Sequence, residues 1–304
     1  MAESLSVRRI AMIGFGEAGS ILGEDLVKAG CEVVTYDILL DAEPTRSPMR
    51  ATAARVQVEI ASSLAEAAAG ADLLVSAVTA SSSPDVAALA GKVLRESQTF
   101  LDINSCSPAT KRGNRDAVEA SGAQYVEAAV MAPVPPQRLK VPMLLGGRSA
   151  ATLAPVLNAL GMRTTAISEE IGIASAVKMC RSIVIKGLEA LTLECVLAAR
   201  RFGAEDQVFA SLEGTFPGMG WQKGLPDYLV SRIAEHGRRR AAEMREVSRT
   251  LEDVGLEPTM AAATALREDA LIDAMAALGI AYPHGKAFSW RELVDSLAAS
   301  ERTQ

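Results

Sequence analysis

The fold is decided near the start of the chain by residues 7–19, which read Val-Arg-Arg-Ile-Ala-Met-Ile-Gly-Phe-Gly-Glu-Ala-Gly. The apolar run that ends at Ile13 predicts a buried strand, and the residues from Glu17 onward predict a helix. Between them, the glycines have the spacing Gly-x-Gly-x-x-Gly. In this context the first glycine permits a tight turn, the second lets a pyrophosphate approach the backbone, and the third lets helix and strand pack closely. We therefore predict a cofactor-binding turn made of Gly14, Phe15, Gly16, Glu17, Ala18 and Gly19.

Asp37 stands at the end of the next apolar run, 21 residues after Gly16. A carboxylate at this position accepts hydrogen bonds from the adenosine ribose and repels a 2′-phosphate, which favours NAD over NADP. Arg46 and Arg50 follow shortly afterwards, and they would reverse this preference if their loop folded back toward the ribose. The alternative is that the glycines form only a structural turn and that Asp37 is solvated.

Short apolar runs alternate with alanine-rich stretches along the first half of the chain. This alternation predicts a parallel, doubly wound sheet. The predicted strands are Val7–Ile13, Cys31–Asp37, Asp72–Val78, Thr99–Ile103, Gln124–Val126 and Pro142–Gly146. The predicted helices are Glu17–Ala29, Leu64–Ala69, Asp85–Arg95 and Ala109–Ser121. Gly30, Gly70 and Gly122 each follow one of the helices, where a left-handed cap favours glycine.

The pattern changes after Ile167, because long helical segments dominate and no further strand is predicted. A long helix is expected over Ile171–Phe202, and Gly214–Gly220 has the composition of a loop. The predicted fold class is therefore α/β: an N-terminal Rossmann domain with a doubly wound sheet, followed by an all-α C-terminal domain. We expect the Rossmann domain to span residues 1–167 and the substrate-binding and dimerisation domain to span residues 168–304.

Composition narrows the possible partners and compartments. The 304 residues carry a net charge of −6, whereas nucleic acids and anionic membranes both require a basic surface, so neither is an expected partner. The four cysteines form no Cys-x-x-Cys pair and histidine occurs twice, which predicts reduced thiols and no metal site. No apolar stretch approaches the length of a membrane span. We expect a cytoplasmic protein that is neither exported nor inserted in a membrane.

The segment Ile171–Ala199 is apolar on nearly every side, which predicts a helix buried by the first domain, by other helices or by a second subunit. At 100° per residue, Lys178, Arg181 and Ser182 fall on one side of this helix. Two cations and a hydroxyl on one face are suited to an anionic, hydroxylated substrate.

The position of Lys178 allows two interpretations. Desolvation and the neighbouring Arg181 should lower the pKa of this lysine toward neutrality, so that it could exchange a proton with an alcohol. Alternatively, both cations pair with Glu189 or Glu194 across a subunit interface. Spacing alone does not distinguish the two interpretations.

Three segments together resemble the β-hydroxyacid dehydrogenase superfamily, which includes 6-phosphogluconate and 3-hydroxyisobutyrate dehydrogenases. They are Ile13–Gly19, Asp102–Pro108 (Asp-Ile-Asn-Ser-Cys-Ser-Pro, similar to Asp-x-Ser-Thr-x-Ser-Pro) and Gly172–Lys178 (similar to Gly-x-Gly-x-x-x-Lys). The resemblance covers residues 7–200 and implies that Lys178 is the catalytic acid/base. It also implies that Ser105 contacts substrate or nicotinamide; the alternative for this hydroxyl is a helix cap before Pro108.

The chain departs from the superfamily around the substrate. Glu127–Pro133 stands where the superfamily has Asp-Ala-Pro-Val-Ser-Gly-Gly, a turn that helps to bind the substrate carboxylate. Ser182 replaces the asparagine expected four residues after the lysine, and Asn104 replaces the first hydroxyl residue of Asp-x-Ser-Thr. The resemblance thus implies the same chemistry on a different substrate, with Met131, Arg181 and Ser182 among the substrate-binding residues.

The resulting hypothesis is a homodimer that transfers a hydride between NAD(P) and a hydroxylated, acidic small molecule. The nicotinamide is expected near Thr79 and Asn104. A basic cluster around Arg238 either completes the pocket of a neighbouring subunit or is a solvated face paired with Glu243 and Glu246.

Two other functions fit the same motifs. The chain could be an imine reductase, although imine reductases that resemble this superfamily commonly lack the lysine. It could also be a non-catalytic, NAD-binding regulator whose helices bind a partner.

Overall fold

The computed structural model describes residues 7–301, with side chains up to residue 299. Its sheet has eight strands in the order β3-β2-β1-β4-β5-β6-β7-β8. Their bounds are β1 (Arg9–Ile13), β2 (Glu32–Tyr36), β3 (Glu59–Ile60), β4 (Leu73–Ser76), β5 (Thr99–Asp102), β6 (Gln124–Val130), β7 (Pro142–Gly146) and β8 (Arg163–Ser168). Neighbouring strands are parallel except for β6 and β7, which are antiparallel.

Helices connect the strands and form the rest of the described chain. Those between strands are α1 (Glu17–Lys28), α2 (Arg46–Arg55), α3 (Leu64–Ala68), α4 (Ser83–Val93), α5 (Pro108–Glu119), α6 (Val134–Gln137) and α7 (Ala150–Ala159). Those after the last strand are α8 (Ile173–Phe202), α9 (Glu205–Thr215), α10 (Leu225–Glu252), α11 (Thr259–Ala277) and α12 (Trp290–Glu301). From Ile173 to residue 301 the structure contains no strand, so the predicted fold class is confirmed.

Both faces of the sheet are covered, as the apolar strand runs predict. In β1, Ile10 and Met12 belong to one hydrophobic cluster, whereas Ala11 and Ile13 belong to another. Successive side chains of a strand point to opposite faces, so the two clusters lie on opposite sides of the sheet. The sheet is therefore doubly wound.

Between β1 and β8, the sequence missed five strands and α-helices and one strand direction. The strand β3 has only two residues, β8 (Arg-Thr-Thr-Ala-Ile-Ser) has no apolar run, α2 is polar, α6 has four residues of which two are proline, and α7 contains Pro155. The expectation of a wholly parallel sheet is wrong at β7. Only residues 131–141 connect β6 to β7, and a parallel crossover needs a dozen or more residues.

The chain divides into two compact units, of which the first ends at Met179 and the second begins at Cys180. This division falls within α8, while the sheet ends at Ser168. The predicted functional boundary between residues 167 and 168 stays a prediction.

The C-terminal unit has its own hydrophobic core, which includes Leu193 on α8, Phe209 on α9, Ile233 on α10 and Leu271 on α11. The helices α10 and α11 approach closely at Gly237. A Cβ atom at this position would lie 2.6 Å from Ile272 Cγ1, so the contact requires glycine.

Beside this core lies a buried group of ionisable side chains. Lys186 Nζ is 2.7 Å from Glu243 Oε2, and Arg240 Nε donates to Glu189 Oε2 at 2.7 Å. Glu268 is fully buried, and neither of its carboxylate oxygens has a hydrogen-bond partner. Burial raises the pKa of Glu268 to about 8, although Arg240 and Lys186 act in the opposite direction. This carboxyl group is therefore protonated in the folded protein at neutral pH.

Replacing Glu268 should change how stability depends on pH. The unfolded chain releases this proton near the ordinary value, 4.5, whereas the folded chain keeps it until about pH 8. The free energy of unfolding of the wild type should therefore fall as pH rises between these values. Glu268→Gln removes the titration, so the variant should be more stable than the wild type at pH 8, by roughly 4 kcal/mol, and similar at pH 5, to within about 1 kcal/mol.

Urea unfolding across this pH range measures the effect. The matched control is Glu257→Gln, because Glu257 is exposed between α10 and α11. A wild-type profile that runs parallel to that of Glu268→Gln would show that this carboxyl group does not titrate as described.

Candidate cofactor and catalytic site

The three glycines of the turn after β1 have different surroundings. Gly14 has a φ of +92°, and a Cβ there would lie 2.5 Å from the carbonyl oxygen of Ala77. A Cβ on Gly19 would lie 2.1 Å from the carbonyl oxygen of Gly14. At Gly16, by contrast, a Cβ would meet no atom within 4 Å. The turn is tight at its first glycine, close-packed at its third and open at its second, which is the shape that admits a pyrophosphate.

Asp37 connects the end of β2 to this turn. Its Oδ2 accepts a hydrogen bond from the Phe15 N–H at 2.7 Å, and its Oδ1 accepts one from the Leu39 N–H at 2.8 Å. Glu17, the first residue of α1, is exposed beside the turn. Each oxygen of a carboxylate can accept more than one hydrogen bond, so Asp37 retains capacity for a ribose hydroxyl. Ribose binding by Asp37 stays a prediction.

Asn104 holds together the loops that follow β4 and β5. Its Oδ1 accepts from the Val78 N–H at 2.7 Å, and its Nδ2 donates to Ser76 Oγ at 2.9 Å and to Ser83 Oγ at 3.1 Å. The side chain is buried and occupied by protein partners. Thr79 is exposed nearby and accepts from the Ser82 N–H at 3.3 Å. Contact of either residue with nicotinamide stays a prediction.

A buried ion pair lies beneath the same edge of the sheet. Asp102, the last residue of β5, is 2.7 Å from Lys111 Nζ and accepts from the Tyr125 hydroxyl at 2.7 Å and from Asn114 Nδ2 at 3.0 Å. Burial alone would raise the pKa of Asp102, but Lys111 and the hydrogen bonds outweigh it and the pKa is lowered. Asp102 is therefore ionised, and its partners hold the segment that carries Asn104 and Ser105.

The start of α8 is capped by Glu127, a fully buried residue of β6. Its Oε1 accepts from the backbone N–H groups of Gly172 at 2.6 Å and Ala174 at 3.1 Å, and its Oε2 accepts from that of Ser175 at 3.3 Å. These groups have no partner within the helix, and negative charge is favoured at a helix N-terminus. A Cβ on Gly146 would lie 2.7 Å from Glu127 Oε1, so the carboxylate needs that glycine.

Lys178 meets Ser105 at this helix. The lysine Nζ donates to Ser105 Oγ at 2.5 Å, and both side chains are half-buried. The cap of α5 is instead Ser107, whose Oγ accepts from the Thr110 N–H at 3.2 Å. The structure thus brings together the Asp102–Pro108 and Gly172–Lys178 segments, which lie far apart in sequence.

The remaining predicted substrate-binding residues have varied surroundings. Met131 is half-buried, with its N–H donating to the Pro142 carbonyl at 2.9 Å. In the C-terminal unit, Arg181 is exposed, while Ser182 is buried and its Oγ accepts from Lys186 Nζ at 3.3 Å. Their contact with substrate stays a prediction.

The two glutamates proposed as partners of Lys178 and Arg181 have other partners. Glu189 accepts from Arg240, and Glu194 Oε2 accepts from Arg267 Nη2 at 2.5 Å.

Within residues 7–301, no group of three or more His, Cys, Asp or Glu side chains is arranged to hold a metal ion. Among these same residues, no helix is both long enough and apolar enough to cross a membrane.

Sequence alone compared Glu127 only with a substrate-binding turn and missed its role as the cap of α8, and it missed Lys111 altogether. Both are charged residues in segments that bury their neighbours, and such residues require a partner. That signal was available, but it does not identify the partner.

Comparison with known proteins places these features in a family. The family model for the NAD binding domain of 6-phosphogluconate dehydrogenase matches residues 9–168. A domain of unknown function (DUF1932) matches residues 199–271. The first match covers more than half of the chain, so the chain belongs to the family of 6-phosphogluconate dehydrogenase NAD-binding domains and to the β-hydroxyacid dehydrogenase-like superfamily. The family supports a nicotinamide dinucleotide as cofactor.

Individual relatives agree with this assignment. An uncharacterised 28.5 kDa protein from Methanothermus fervidus is 30% identical over 83% of this chain and 94% of its own length. The mitochondrial 3-hydroxyisobutyrate dehydrogenase of Drosophila melanogaster is 22% identical over 73% of this chain and 67% of its own. A conserved hypothetical protein from Sinorhizobium meliloti has a solved structure with a TM-score of 0.77 and 37% identity, covering 97% of each chain.

Adding a methyl group to the third glycine should weaken cofactor binding. In Gly19→Ala the new Cβ meets the Gly14 carbonyl oxygen, which forces the turn to move, so the affinity for NADH should fall at least about tenfold. The matched control is Gly113→Ala on α5, where a Cβ meets no atom within 4 Å. That variant should keep its affinity and gain roughly 0.5–1 kcal/mol of stability. Fluorescence titration with NADH measures the affinities of both variants, and urea unfolding measures the stability of Gly113→Ala. Unchanged NADH binding by Gly19→Ala would contradict this role of the turn.

Neutralising the cap of α8 should destabilise the N-terminal unit. Glu127→Gln removes a buried charge from the helix N-terminus and directs an amide N–H₂ group toward backbone donors. We expect a loss of about 1–3 kcal/mol in urea unfolding. Glu119→Gln at the exposed end of α5 should have little effect. Equal stabilities of the two variants would mean that the cap contributes nothing.

Proposed function

We propose that the chain catalyses reversible hydride transfer between NAD(P) and a hydroxylated, acidic small molecule, with Lys178 as general acid/base. The hydrogen bond from Lys178 Nζ to Ser105 Oγ carries this proposal. It joins an ammonium group and a hydroxyl in the same unit as the glycine turn. An ammonium group of this kind can exchange a proton with an alcohol or carbonyl oxygen.

The residues present fit a nicotinamide dinucleotide, because the turn is open at Gly16 and α1 begins immediately after it. Gly14–Gly19 would hold the pyrophosphate and Asp37 the ribose. When bound, the nicotinamide supplies or accepts the hydride. NAD is favoured over NADP because a carboxylate at Asp37 repels a 2′-phosphate. Arg46 would reverse this preference if it reached the ribose. Its guanidinium instead donates to the backbone carbonyls of Leu40 and Asp41, which supports the preference for NAD.

The chain's own residues would accept and donate the proton that accompanies hydride transfer. In oxidation, the substrate hydroxyl loses its proton to the neutral amine of Lys178 while its carbon loses a hydride; in reduction, the ammonium form returns the proton. Ser105, which already accepts from Lys178, would orient the substrate oxygen. Glu127 holds the start of α8 and thereby the position of the lysine. Arg181, Ser182 and Met131 are the other residues that we propose to contact the substrate.

A second copy of the chain is the proposed partner. On α8, Val184 is 69% exposed, Leu191 57% and Phe202 86%, and on α11 Leu266 is 69% exposed. Large apolar side chains exposed along one helix favour an interface, so these residues support a homodimer. We further propose a cytoplasmic protein with no nucleic-acid partner, in which the dinucleotide-binding domain ends at residue 167 and the substrate domain begins at residue 168.

Removing the amine of Lys178 should lower the turnover number without changing the affinity for the cofactor. Lys178→Ala should lower kcat by about 10²–10⁴-fold, the usual contribution of a general acid/base, and leave the affinity for NADH unchanged. The matched control is Lys92→Ala, an exposed lysine on α4 in the same unit. Turnover is followed by NADH absorbance on a panel containing 3-hydroxyisobutyrate, other 3-hydroxyacids and cyclic imines.

The panel also separates the alternatives. Turnover of imines alone would make the chain an imine reductase. Binding of NADH without turnover of either substrate class would make it a regulator. Full activity in Lys178→Ala would remove this lysine from the mechanism.

A further inference from the structure

A pocket of about 400 Å³ lies in the C-terminal unit where α10 changes direction. The backbone at His236 leaves the helical region, with φ −132° and ψ 15°, in the middle of the helix. The next residue, Gly237, is packed against Ile272 of α11, so the irregular turn is held by a neighbouring helix. Non-helical backbone that the surrounding packing maintains inside a helix is typical of functional sites.

The lining of the pocket is divided between apolar and polar residues. Ile272, Met275, Ile280 and Tyr282 supply an apolar wall, and the α10 segment Glu235–Arg239 supplies the polar wall. Small-molecule sites combine an apolar body of this kind with a few polar groups, and their volumes begin near 300 Å³. The size and lining therefore suit a small ligand with one polar end.

The pairing of charges around the polar wall leaves one cation weakly compensated. Arg238 and Arg245 share Asp269 and Asp273 across the groove to α11. The carboxylate oxygen Oε2 of Glu235 is 3.3 Å from Arg232 Nη1 and 3.3 Å from His236 Nε2. Arg238 and Arg245 are thus paired with the two aspartates, and Glu235 is paired with Arg232 and His236.

Arg239 is the exception. Its Nη1 is 3.9 Å from Glu243 Oε1, beyond hydrogen-bond distance, while Glu243 Oε2 is held 2.7 Å from Lys186 Nζ. The Glu243 charge is therefore shared between two cations and compensates Lys186 first. The Arg239 side chain is 55% exposed and lines the pocket, so its guanidinium can turn toward an incoming anion.

We infer that this pocket binds a small carboxylate with an apolar tail. Arg239 contacts the carboxylate through a charge-assisted hydrogen bond, and Ile272, Met275 and Tyr282 contact the tail. The site lies within the C-terminal unit, and its binding requires neither a nicotinamide cofactor nor the reaction proposed for Lys178. Arg238, already held by two aspartates, has no part in this recognition.

Calorimetric titration of the full chain without cofactor tests the inference. The probe is 4-methylpentanoate, and its matched neutral analogue is 4-methylpentanamide. The acid should bind saturably, one per chain, and at least about tenfold more tightly than the amide. Arg239→Gln should reduce the affinity for the acid to that for the amide. The control Arg249→Gln, an exposed arginine of α10 that pairs with Glu246 outside the pocket, should change neither affinity.

Two further measurements locate the binding. The methyl resonance of Met275 should shift on addition of the acid, and Ala276→Phe, which fills the pocket from α11, should weaken both probes. Equal binding of acid and amide, no binding of the acid, an unmoved Met275 signal or undiminished acid binding in Arg239→Gln would each overturn the inference. None of these results depends on turnover, so failure here leaves the proposed dehydrogenase reaction standing, and the converse also holds.

Discussion

Three backbone N–H groups at the start of α8 donate to one buried carboxylate, that of Glu127. This contact fixes a helix end to an interior strand of the sheet, because the carboxylate belongs to β6. Lys178 follows Gly172 by six residues, which at 1.5 Å per residue is about 9 Å along the helix axis. The distance of Lys178 from the sheet is thus set by one contact, the capping of α8 by the Glu127 carboxylate. Without the cap, the meeting of Lys178 and Ser105 would depend on a frayed helix end.

The other half of that meeting is held by a separate network. Ser105 follows Asp102 and Asn104, whose side chains are engaged by Lys111, Tyr125, Ser76 and other groups from neighbouring elements. Both components of the Lys178–Ser105 pair are therefore attached to the carboxyl edge of the sheet through buried, satisfied polar groups. Moving such a group breaks buried hydrogen bonds and costs free energy. These groups therefore keep Lys178 and Ser105 in one geometry before substrate binds.

Whether a strand or turn could be predicted from sequence depends on how strongly its burial or its steric constraints restrict the residues it contains. Six strands with apolar runs were found from sequence, because burial on both faces leaves a continuous signal. The short β3 and the half-exposed β8 leave none. The tight first glycine and the close-packed third glycine were predictable, since Gly14 and Gly19 each satisfy a local steric requirement. The role of Gly16 toward a pyrophosphate stays a prediction. The capping of α8 was not, because periodicity shows that Glu127 lies in a buried strand but not which helix its carboxylate meets.

The arginines of α10 show a further limit of reading charge from sequence. Arg238, Arg239 and Arg240 look like one basic cluster, and the sequence offered a solvated face or an anion site as its role. Successive helical residues point 100° apart, so three in a row spread over about 200° and cannot act as one patch. Arg238 pairs with α11, Arg240 turns into the core against Glu189, and only Arg239 keeps a loose partner. The predicted pairing with Glu243 is thus found only for Arg239, at a distance of 3.9 Å. Arg238 and Arg240 pair with carboxylates on other helices, which are distant in sequence. Helix geometry, more than local charge density, decides which of these cations remains available to a ligand.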